Sequence, residues 1–509
     1  MDVEEKLELM KFLFNPKNVA VIGATDSLMK IGSAVFSSVL SCGFTKNLYG
    51  INPNPKYETS KILEHDVYPS LDKCPEPIDL VGIVVPPHAV VDSVKHAIEN
   101  DVRAAAIITA GFGEVKTEER QDENKELVKT AEKGGLIFVG PNSMGFYSSE
   151  DQSSPLHLGF GFMMPRPGSL SIVSQSGTMG TILCNAFQQI RYFVSSGNEA
   201  SLTLEDYLEY YARDKETKTI ALFAEGLRAG SRFVDICRET TKSKPIIFLK
   251  AGTSQSGARA ANSHTGSIAG SLDLYKSVFK QTGVISADQI EQFIYLVKGA
   301  QYLLPLPTNG RLRAGIISGG GGFVVHLTDL CEKHGINVVD LRTEPNGPKL
   351  IEEISKHLPF YWSHNNPVDL VATRNPNAYR NVIELMLNSD CFDVILTMSS
   401  ARFIDRMKLL KPTNEYGKKL VETMLDRMGN RHDMAIENEI QLCQKFPDKK
   451  IIYISFTSSL GGLSMEKYDE NKIMVFGGNP ENGPIVLKKL HDYQKFINSQ
   501  TRVNNRDRD

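Results

Sequence analysis

The order of hydrophobic and polar positions divides the chain into short apolar runs that alternate with longer amphipathic runs. Between residues 17 and 145, helical patterns fall near 31–42, 87–100 and 116–134. The strand candidates around them are Val19–Gly23, Leu48–Asn52, Leu80–Val85, Ala104–Ala110 and Leu136–Gly140. Strands that alternate with helices of this length are typical of βαβ units. The pattern therefore predicts a doubly wound α/β domain with a parallel sheet.

A second α/β block is predicted at about 169–304, after a stretch rich in Ser, Gly, Pro and Met. That stretch, residues 146–168, is interpreted as a linker or flexible loop. The strand candidates of the second block are Ser169–Ser174, Tyr192–Ser196, Thr219–Glu225, Pro245–Lys250 and Val284–Ala287. Helical patterns cover Met179–Ile190 and Leu272–Gln281.

A third α/β block follows the proline-flanked segment Leu304–Gly310. Its candidate elements are the strands Ala314–Ser318, Asp393–Ser399, Lys450–Ser455 and Ile473–Phe476, and the helices Phe323–His334 and about 482–497. A charged stretch at 401–447 is interpreted as a helical insertion or surface elaboration, and Thr501–Asp509 as a polar, frayed tail. For 509 residues, two to four domains are expected. We predict domains at 1–146, 147–305 and 306–500, with the tail at 501–509.

The composition is that of an ordinary globular protein, with 41% hydrophobic residues, 23% charged residues and a net charge of -3. Because there is no basic stripe, we expect neither nucleic acid nor a membrane surface as a partner. The acidic N-terminus has no apolar run of the signal-peptide type, and no stretch is long enough to span a bilayer. Seven cysteines are scattered singly, which suits a reducing compartment. We expect a cytoplasmic protein.

Unusual residues collect where the strands of the first block end, and ligands bind at that edge of a parallel sheet. The first turn, Gly23–Gly32, departs from the G-x-G-x-x-G pattern of dinucleotide-binding enzymes. The second strand ends in Asn52, where such enzymes usually have an acidic residue for the ribose. Both departures disfavour an NAD-dependent oxidoreductase. The hydroxyls of this turn, Lys30 and the glycine at the helix start suit a nucleotide whose phosphates lie along the turn.

The second block has a candidate anion-binding turn at Ser174–Thr178, between a strand and a helix. Backbone N–H groups and hydroxyls in this arrangement bind anions, although a capped helix after a tight turn explains the same pattern. In the third block, Gly319–Gly322 is open to two interpretations as well. It is either a phosphate-binding turn or a place where a strand and a helix approach closely.

A loop of small residues, Asn262–Ser271, has the single imidazole of His264 near its centre. It lies between a strand-like and a helix-like run, where free N–H groups and the helix dipole favour an anion. Because a neutral imidazole is a competent nucleophile towards phosphorus, the loop is a candidate phosphohistidine loop. The alternative is a helix cap with an ordinary hydrogen-bonded histidine. Glu225, at a strand end of the same block, either orients His264 through one N–H or is a surface carboxylate.

Ten short motifs follow one another along the chain. They are Leu13–Ala24, Lys30–Gly32, Asn52–Pro53, Thr109–Phe112, Gly140–Asn142, Ser174–Gly177, Ser196–Asn198, Ala224–Gly226, Ser263–Gly266 and Asn366–Leu370. In this order they resemble the alpha subunit of NDP-forming acyl-CoA synthetases of the ADP-forming acetyl-CoA synthetase type, which are relatives of succinyl-CoA synthetase. The resemblance covers about residues 17–400. The glycine run Gly319–Gly322 and the stretch 401–447 depart from the family pattern.

The resemblance implies a Rossmann-like CoA-binding domain followed by two flavodoxin-like, succinyl-CoA synthetase-like domains. The implied CoA-binding residues are Gly23, Thr25, Lys30, Ile31, Gly32, Asn52, Pro53, Val85, Pro86, Thr109, Ala110, Gly111 and Asn142. The implied phosphate-binding residues are Ser174, Gln175, Ser176, Gly177, Thr178, Thr265 and Gly266.

The activity that the resemblance implies is a reversible acid–thiol ligase reaction. Acyl-CoA and phosphate give an acyl phosphate and CoA, His264 takes the phosphoryl group, and ADP then becomes ATP. Glu225 orients His264. Since no Gly-rich nucleotide hairpin of the ATP-grasp type is present in the sequence, ATP or ADP with Mg²⁺ is expected on a separate ATP-grasp beta-type subunit of a hetero-oligomer, and no metal site is expected in this chain. The alternative is a non-catalytic CoA-binding regulatory protein of the same fold, which the presence of His264 and Glu225 disfavours.

Overall fold

The computed structural model forms two compact units, Met1–Phe293 and Ile294–Asp509. It describes residues 1–58, 61–161, 163–257, 259, 272–371, 377–399, 410–455 and 463–506. Three of the candidate site residues, His264, Thr265 and Gly266, lie outside the described residues.

The first unit begins with a helix, α1 (Val3–Phe14), that the sequence analysis did not assign. Asp2 caps it by accepting a hydrogen bond from the Glu5 N–H at 2.9 Å. Its buried residues, Leu7, Met10, Leu13 and Phe14, recur at helical spacing. The centroid of the Phe14 ring lies 4.8 Å from the centroid of the Tyr192 ring. The helix is therefore an integral part of the core.

The first sheet is wholly parallel and has the strand order β3-β2-β1-β4-β5-β6. Its strands are β1 (Asn18–Ile22), β2 (Asn47–Ile51), β3 (Val67–Tyr68), β4 (Leu80–Ile83), β5 (Ala104–Ile107) and β6 (Ile137–Val139). The intervening helices are α2 (Ile31–Ser41), α3 (Val90–Glu99) and α4 (Glu118–Lys133). The chain order reverses between β1 and β4, which opens a crevice at their carboxyl ends. The Rossmann-like fold predicted for this block is confirmed.

The second sheet has the strand order β13-β12-β11-β9-β10-β7-β8. Its strands are β7 (Gly145–Ser148), β8 (Leu156–Gly159), β9 (Arg166–Ser174), β10 (Gln189–Ser195), β11 (Thr219–Ala224), β12 (Ile246–Lys250) and β13 (Ile285–Ala287). The helices of this region are α5 (Gly177–Ala186), α6 (Leu204–Arg213), α7 (Gly230–Thr240), α8 (Leu272–Thr282) and α9 (Ile290–Tyr302). Helix α5 ends four residues earlier than predicted, because β10 already begins at Gln189.

The interpretation of residues 146–168 as a linker or flexible loop was wrong. Strands β7 and β8 form an antiparallel pair at the edge of the second sheet, and the residues of both strands are buried. The Ser148 hydroxyl is satisfied internally, since it donates to the Phe14 carbonyl at 2.6 Å. A Cβ on Gly82 of β4 would lie 3.1 Å from the Leu158 side chain, so β8 packs directly on the first sheet. Tertiary packing overrides the loop-like composition here.

The second unit contains a third parallel sheet of order β15-β14-β17-β18-β19, with β16 paired to β14. Its strands are β14 (Arg313–Ser318), β15 (Asn337–Val338), β16 (Val368–Asp369), β17 (Val394–Met398), β18 (Lys450–Ser455) and β19 (Met474–Gly477). Its further helices are α10 (Gly321–Lys333), α11 (Gly347–Ser355), α12 (Ala378–Asn388), α13 (Glu415–Lys445), α14 (Leu463–Glu470) and α15 (Asn482–Arg506). The α/β class predicted for this block is confirmed.

Two predicted features of the second unit need correction. The 401–447 stretch is more than a surface elaboration, because Ile436, Ile440 and Leu442 of α13 are buried in the core of the unit. Residues 401–409 lie outside the described part. The tail predicted to fray from Thr501 is helical as far as Arg506. None of the described helices is both long and apolar enough to cross a membrane.

The glycine run of the third block marks a close strand–helix approach at one position, Gly321 of α10 against Asp369 of β16. A Cβ on Gly319 or Gly322 would meet nothing within 4 Å. Only Gly321 is crowded, because its Cβ would lie 2.8 Å from an Asp369 carboxylate oxygen at the start of α10. Since a carboxylate already occupies this helix N-terminus, the geometry also disfavours a bound phosphate there.

Candidate active site

A cleft of about 880 Å³ lies in the first unit, between the carboxyl edge of the first sheet and the start of α5. Eleven of the predicted CoA-binding residues line it, namely Gly23, Thr25, Lys30, Ile31, Gly32, Asn52, Val85, Pro86, Thr109, Ala110 and Asn142. Four of the predicted phosphate-binding residues, Gln175, Ser176, Gly177 and Thr178, line it from the other side. Two groups of candidates that are distant in sequence therefore face one cavity, whose volume is in the range of ligand sites.

The turn after β1 is held against the sheet by two glycines. Gly23 has a φ of 93°, and a side chain there would collide with the Val84 carbonyl. A Cβ on Gly32 would overlap the carbonyl oxygen of Gly23. Because glycine alone fits both positions, the backbone passes close to the mouth of the crevice and leaves it open.

A buried tyrosine fixes the polar part of this turn. The Tyr57 hydroxyl donates to Asp26 at 2.8 Å and lies 3.1 Å from the Thr25 hydroxyl. Asp26 also pairs with Lys56 at 2.7 Å. The hydrogen bonds from Lys56 and Tyr57 lower the pKa of Asp26 to about 2, so it is ionised at neutral pH. Asn52 fastens the neighbouring loop, since its Nδ2 donates to the Ala24 carbonyl at 2.8 Å.

The far wall of the cleft is held together by residues that the sequence analysis missed. The Asn198 side chain donates to Glu114 at 2.5 Å and receives a hydrogen bond from Asn142 at 3.3 Å. The same Glu114 carboxylate accepts hydrogen bonds from the backbone N–H groups of Gly111 and Phe112. These contacts connect the loop after β5 to the loop after β10. Asn198 stands in one of the sequence motifs, but Glu114 is 84 residues away from it and nothing in the sequence links the two.

The turn Ser174–Thr178 has the geometry of a helix start that is open to the cleft. The Ser176 hydroxyl caps α5 by accepting from the Met179 N–H at 3.4 Å. The Ser174 hydroxyl donates to the Ser176 carbonyl at 2.6 Å, so it shapes the turn and does not line the cleft. The first N–H groups of α5 have no partner within the helix. At Gly177 and Thr178 they lie on the cleft wall, where they can bind an anion.

Gln175 joins this turn to two carboxylate-bearing segments. Its side-chain carbonyl accepts from the N–H of Glu225 at 2.6 Å and of Gly226 at 3.1 Å. Its Nε2 donates to the Glu199 carboxylate at 3.0 Å and to the Gly226 carbonyl at 2.9 Å. Four hydrogen bonds hold the amide in one orientation, and they fix the position of the Glu225 backbone relative to the start of α5.

Glu225 directly follows β11 and does not line the cleft. Its Oε2 is buried, and no group in the described part of the chain donates a hydrogen bond to it. On the neighbouring strand, Lys250 donates from Nζ to the carbonyls of Glu225, at 2.8 Å, and of Ala251. Burial lowers the pKa of Lys250, and the nearby Glu225 opposes that shift. A carboxylate with an unused acceptor thus stands beside a buried ammonium group at the strand ends that precede the His264 loop.

Two predicted residues do not line the cleft, and several residues that line it were not predicted. Pro53 and Gly111 are not among the residues that line it. The lining residues that no prediction named are Met29, Val84, Ile108, Ser143, Met144, Phe160, Gly197 and Asn198. Met144 packs against the start of α5, where a Cβ on Gly177 would lie 2.6 Å from its Cγ. Met144 and Phe160, which flank β7 and β8, could have been found only from the packing of those two strands.

The charges around the cleft suit an anionic ligand. Among the described lining residues, Lys30 is the one with a charged side chain, and it is exposed at the rim. The described residues contain no group of three or more His, Cys, Asp or Glu side chains that could hold a metal ion. The cleft therefore offers loops for an extended phosphorylated ligand at one end and a helix N-terminus at the other.

Three family models match the chain. They are a CoA binding domain at residues 17–149, a succinyl-CoA ligase like flavodoxin domain at residues 167–300 and a ligase-CoA domain at residues 314–405. The first two contain the two walls of the cleft.

Curated relatives agree with these domain matches. The chain is 34% identical over 394 residues to the alpha subunit of acetate–CoA ligase (ADP-forming) II of Pyrococcus furiosus, which covers 77% of this chain and 82% of the relative. It is 33% identical over 420 residues to the alpha subunit of isoform I of the same organism. That match covers 81% of this chain and 88% of the relative. A 4-hydroxybutyrate–CoA ligase (ADP-forming) of Nitrosopumilus maritimus is 31% identical over 84% of this chain and 60% of its own length.

A solved structure shows the same fold over almost the whole chain. It is titled as the dinucleotide forming acetyl-coenzyme A synthetase 1 of Ca. Korarchaeum cryptofilum in complex with phosphate and ADP. The TM-score is 0.76 at 27% identity, with 96% of this chain and 98% of that chain covered. The predicted α/β class, with a CoA-binding domain and succinyl-CoA ligase-like flavodoxin domains, is confirmed. The chain belongs to the family of the ADP-forming acetate–CoA ligase alpha subunits, which are acid–thiol ligases.

Proposed function

We propose that this chain carries out the acyl-transfer and phosphohistidine steps of an ADP-forming acyl-CoA synthetase. The reaction converts acyl-CoA, phosphate and ADP reversibly into a carboxylic acid, CoA and ATP. The observation that carries the proposal is the shared cleft, in which the predicted CoA loops face the helix start at Gln175–Thr178. Binding of a thioester on one wall and of phosphate on the other would bring both reactants into one cavity.

The CoA end of the cleft consists of the loops after β1, β2, β4 and β5. The close backbone approach at Gly23 and Gly32 leaves room for an extended ligand over the sheet edge. Thr109 is fixed by its hydrogen bond to the Val85 carbonyl at 2.7 Å, which sets the wall opposite Asn52. Lys30 supplies a positive charge for a CoA phosphate. Pro53 and Gly111 act by shaping the loops, since neither lines the cleft.

In the acyl-transfer step, a phosphate oxygen attacks the thioester carbonyl carbon. A C–O bond forms, the C–S bond breaks, and the sulfur leaves as the CoA thiolate, which takes up a proton. The free N–H groups at Gly177 and Thr178 hold the phosphate, and the apolar side chains of Met144 and Phe160 exclude water from the acyl group. The products are an acyl phosphate and CoA.

In the phosphoryl step, the unprotonated imidazole nitrogen of His264 attacks phosphorus and the acyl carboxylate leaves. The N–P bond forms as the P–O bond to the acyl group breaks. Glu225 accepts a hydrogen bond from the other ring nitrogen, which fixes the tautomer and stabilises the positive charge of the ring. The buried Oε2 of Glu225, which accepts no hydrogen bond from any residue that the structure describes, supports this assignment. Thr265 and Gly266 supply further donors to the phosphoryl oxygens.

ADP receives the phosphoryl group from phosphohistidine in the last step. The curated relatives that are named alpha subunits imply a separate partner in those organisms. We propose that an ATP-grasp beta-type subunit binds ADP and Mg²⁺ for this chain and forms a hetero-oligomer with it in the cytoplasm. The described residues contain no acidic or histidine cluster that would hold the metal.

The test uses the purified chain with labelled inorganic phosphate and one acyl-CoA at a time, chosen from acetyl-, 4-hydroxybutyryl- and feruloyl-CoA. We expect one of these to give a protein-bound label that is labile in acid and stable in base, as expected of phosphohistidine. The label must be absent in His264→Ala and present in the matched control His326→Ala, whose imidazole is exposed in the other unit. Label that persists in His264→Ala would refute the proposal. CoA binding without label in any arm would favour a CoA-binding regulatory protein.

A further inference from the structure

Glu199 is a buried acidic residue immediately behind the wall of the cleft. It follows the lining residue Asn198 and is only 7% exposed. Its Oε1 accepts hydrogen bonds from Gln175 Nε2 at 3.0 Å and from the Ser196 hydroxyl at 2.8 Å. Its Oε2 is also buried, and within the described residues it accepts no hydrogen bond. The carboxylate is thus satisfied on one oxygen only.

The charged groups around Glu199 come from two further elements. From α6, Glu205 is fully buried and accepts hydrogen bonds from the N–H groups of Arg228 and Ala229, each at 2.8 Å. Tyr207 of the same helix is also buried nearby. From the loop after β11, the Arg228 Nε lies 4.0 Å from the Glu199 Oε2, and its guanidinium donates to the Asn198 carbonyl. Glu225 lies on the opposite side of the Gln175 amide.

In these surroundings the protonated and ionised forms of Glu199 are close in free energy at neutral pH. Burial is the largest influence and raises the pKa of Glu199 to about 7, and Glu205 adds to the rise. The hydrogen bonds from Ser196 and Gln175, together with Arg228, act in the opposite direction. A group with such a pKa responds to small changes in the local electrostatic potential.

An anion at the start of α5 would change that potential. Gln175 lines the cleft beside Ser176 and Gly177 and is hydrogen-bonded directly to Glu199. A second negative charge on the other side of the Gln175 amide disfavours the ionised carboxylate. Anion binding therefore favours protonation of Glu199, and protonation raises the affinity for the anion by the same factor. The Gln175 amide cannot turn away, because its other hydrogen bonds hold it to the Glu225–Gly226 backbone.

We propose that Glu199 is a positioning residue that takes up one proton when phosphate, or the phosphoryl group in transit, occupies the cleft. The proposal deepens the proposed function and rests on it for the identity of the anion. The neutral side chain lets Gln175 hold the start of α5 against a doubly charged ligand. When the anion leaves as part of the product, Glu199 loses the proton again.

The test measures the affinity of the full-length chain for sulfate by calorimetry between about pH 6 and about pH 8.5. Sulfate carries two charges throughout this range, so any pH dependence belongs to the protein. We expect the native chain to lose about tenfold in affinity across the range, since an added charge pair in a partly buried site is worth about one factor of ten. When both chains also carry His264→Ala, which removes the imidazole proposed to face the same anion, Glu199→Gln, which keeps an oxygen acceptor but has no charge, should bind sulfate with an affinity that is independent of pH and equal to that of the Glu199 chain at low pH.

Glu205→Gln is the matched control, because this carboxylate is equally buried but is bonded only to backbone N–H groups away from Gln175. It should keep a pH dependence of native size, with the midpoint shifted to lower pH because the Glu205 charge that raises the pKa of Glu199 is gone. An unchanged pH dependence in Glu199→Gln, a flat native profile, or no sulfate binding in any arm would each overturn the inference. If His264 is labelled as proposed but sulfate affinity does not depend on the charge of Glu199, this inference alone fails. If the linkage is present without label, the proposed function fails.

Discussion

The hydrogen bonds of Gln175 allow a prediction whose magnitude follows from the structure. In Gln175→Leu, a side chain of similar size replaces an amide that makes four hydrogen bonds. The N–H groups of Glu225 and Gly226, the Gly226 carbonyl and the Glu199 carboxylate each lose a partner. At about 1 kcal/mol net per bond, the local structure is destabilised by about 4 kcal/mol. This is a large share of the 5–15 kcal/mol that stabilises a typical domain.

Hydrogen exchange at the Glu225 and Gly226 amides measures this loss directly, because Gln175 is the acceptor for both N–H groups. With a tenfold change for about every 1.4 kcal/mol, exchange should accelerate by roughly three orders of magnitude. Gln188→Leu is the control, since Gln188 contacts Arg166 at the surface and should leave these amides unchanged. We expect Gln175→Leu to keep CoA bound to the first-sheet loops but to lose the His264 label. Protection within about threefold of the native value would refute the network.

Three further predictions test the turn glycine and two buried titratable groups. Gly32→Val should abolish CoA retention on an affinity resin, because its side chain collides with the backbone of the same turn, whereas Gly230→Ala, which meets nothing within 4 Å, should bind normally. Glu199 has a folded-state pKa of about 7 against an ordinary 4.5. Its contribution to the free energy of unfolding, on the order of 3 kcal/mol, is therefore present below about pH 4.5 and is lost as the pH rises through about 7. Urea denaturation should show that Glu199→Gln removes this loss, and an identical pH profile would contradict the assignment. His157 is buried and its pKa is lowered from 6.5 to about 4, so stability should fall as the pH drops through that window, again on the order of 3 kcal/mol. In His157→Leu this loss on acidification should be absent from the urea midpoint, and a native-like acid dependence would show that another group is responsible.

The sequence predicted the parts of the fold whose residues are buried in regular patterns. Strands such as Leu80–Ile83 and Ala104–Ile107 are buried along their whole length, and continuous apolar runs of that kind mark a covered parallel sheet. The alternation of strands and helices then predicted that the carboxyl ends of these strands form one edge of the sheet. The loops that line the cleft could be named for the same reason, since they begin where those strands end.

The parts that the sequence did not predict depend on contacts between distant residues. The strand pair at Gly145–Ser148 and Leu156–Gly159 has a loop-like composition, and only its packing on the first sheet makes it regular. Glu114 and Glu199 are charged residues of ordinary appearance, and their roles come from partners 84 and 24 residues away. Periodicity carries no information about such pairs. The position of His264 relative to Glu225 stays a prediction.

The central claim is that phosphate attacks the acyl thioester before the phosphoryl group reaches His264. It is tested most directly by giving the chain phosphate labelled with ¹⁸O together with the acyl-CoA that supports phosphorylation, and by measuring the mass of the carboxylic acid released in a single turnover. Because the C–O bond of the acyl phosphate contains a phosphate oxygen and the P–O bond is the one that breaks, the acid should carry one ¹⁸O atom. An acid that contains no ¹⁸O would show that water cleaves the thioester, and the account would be wrong.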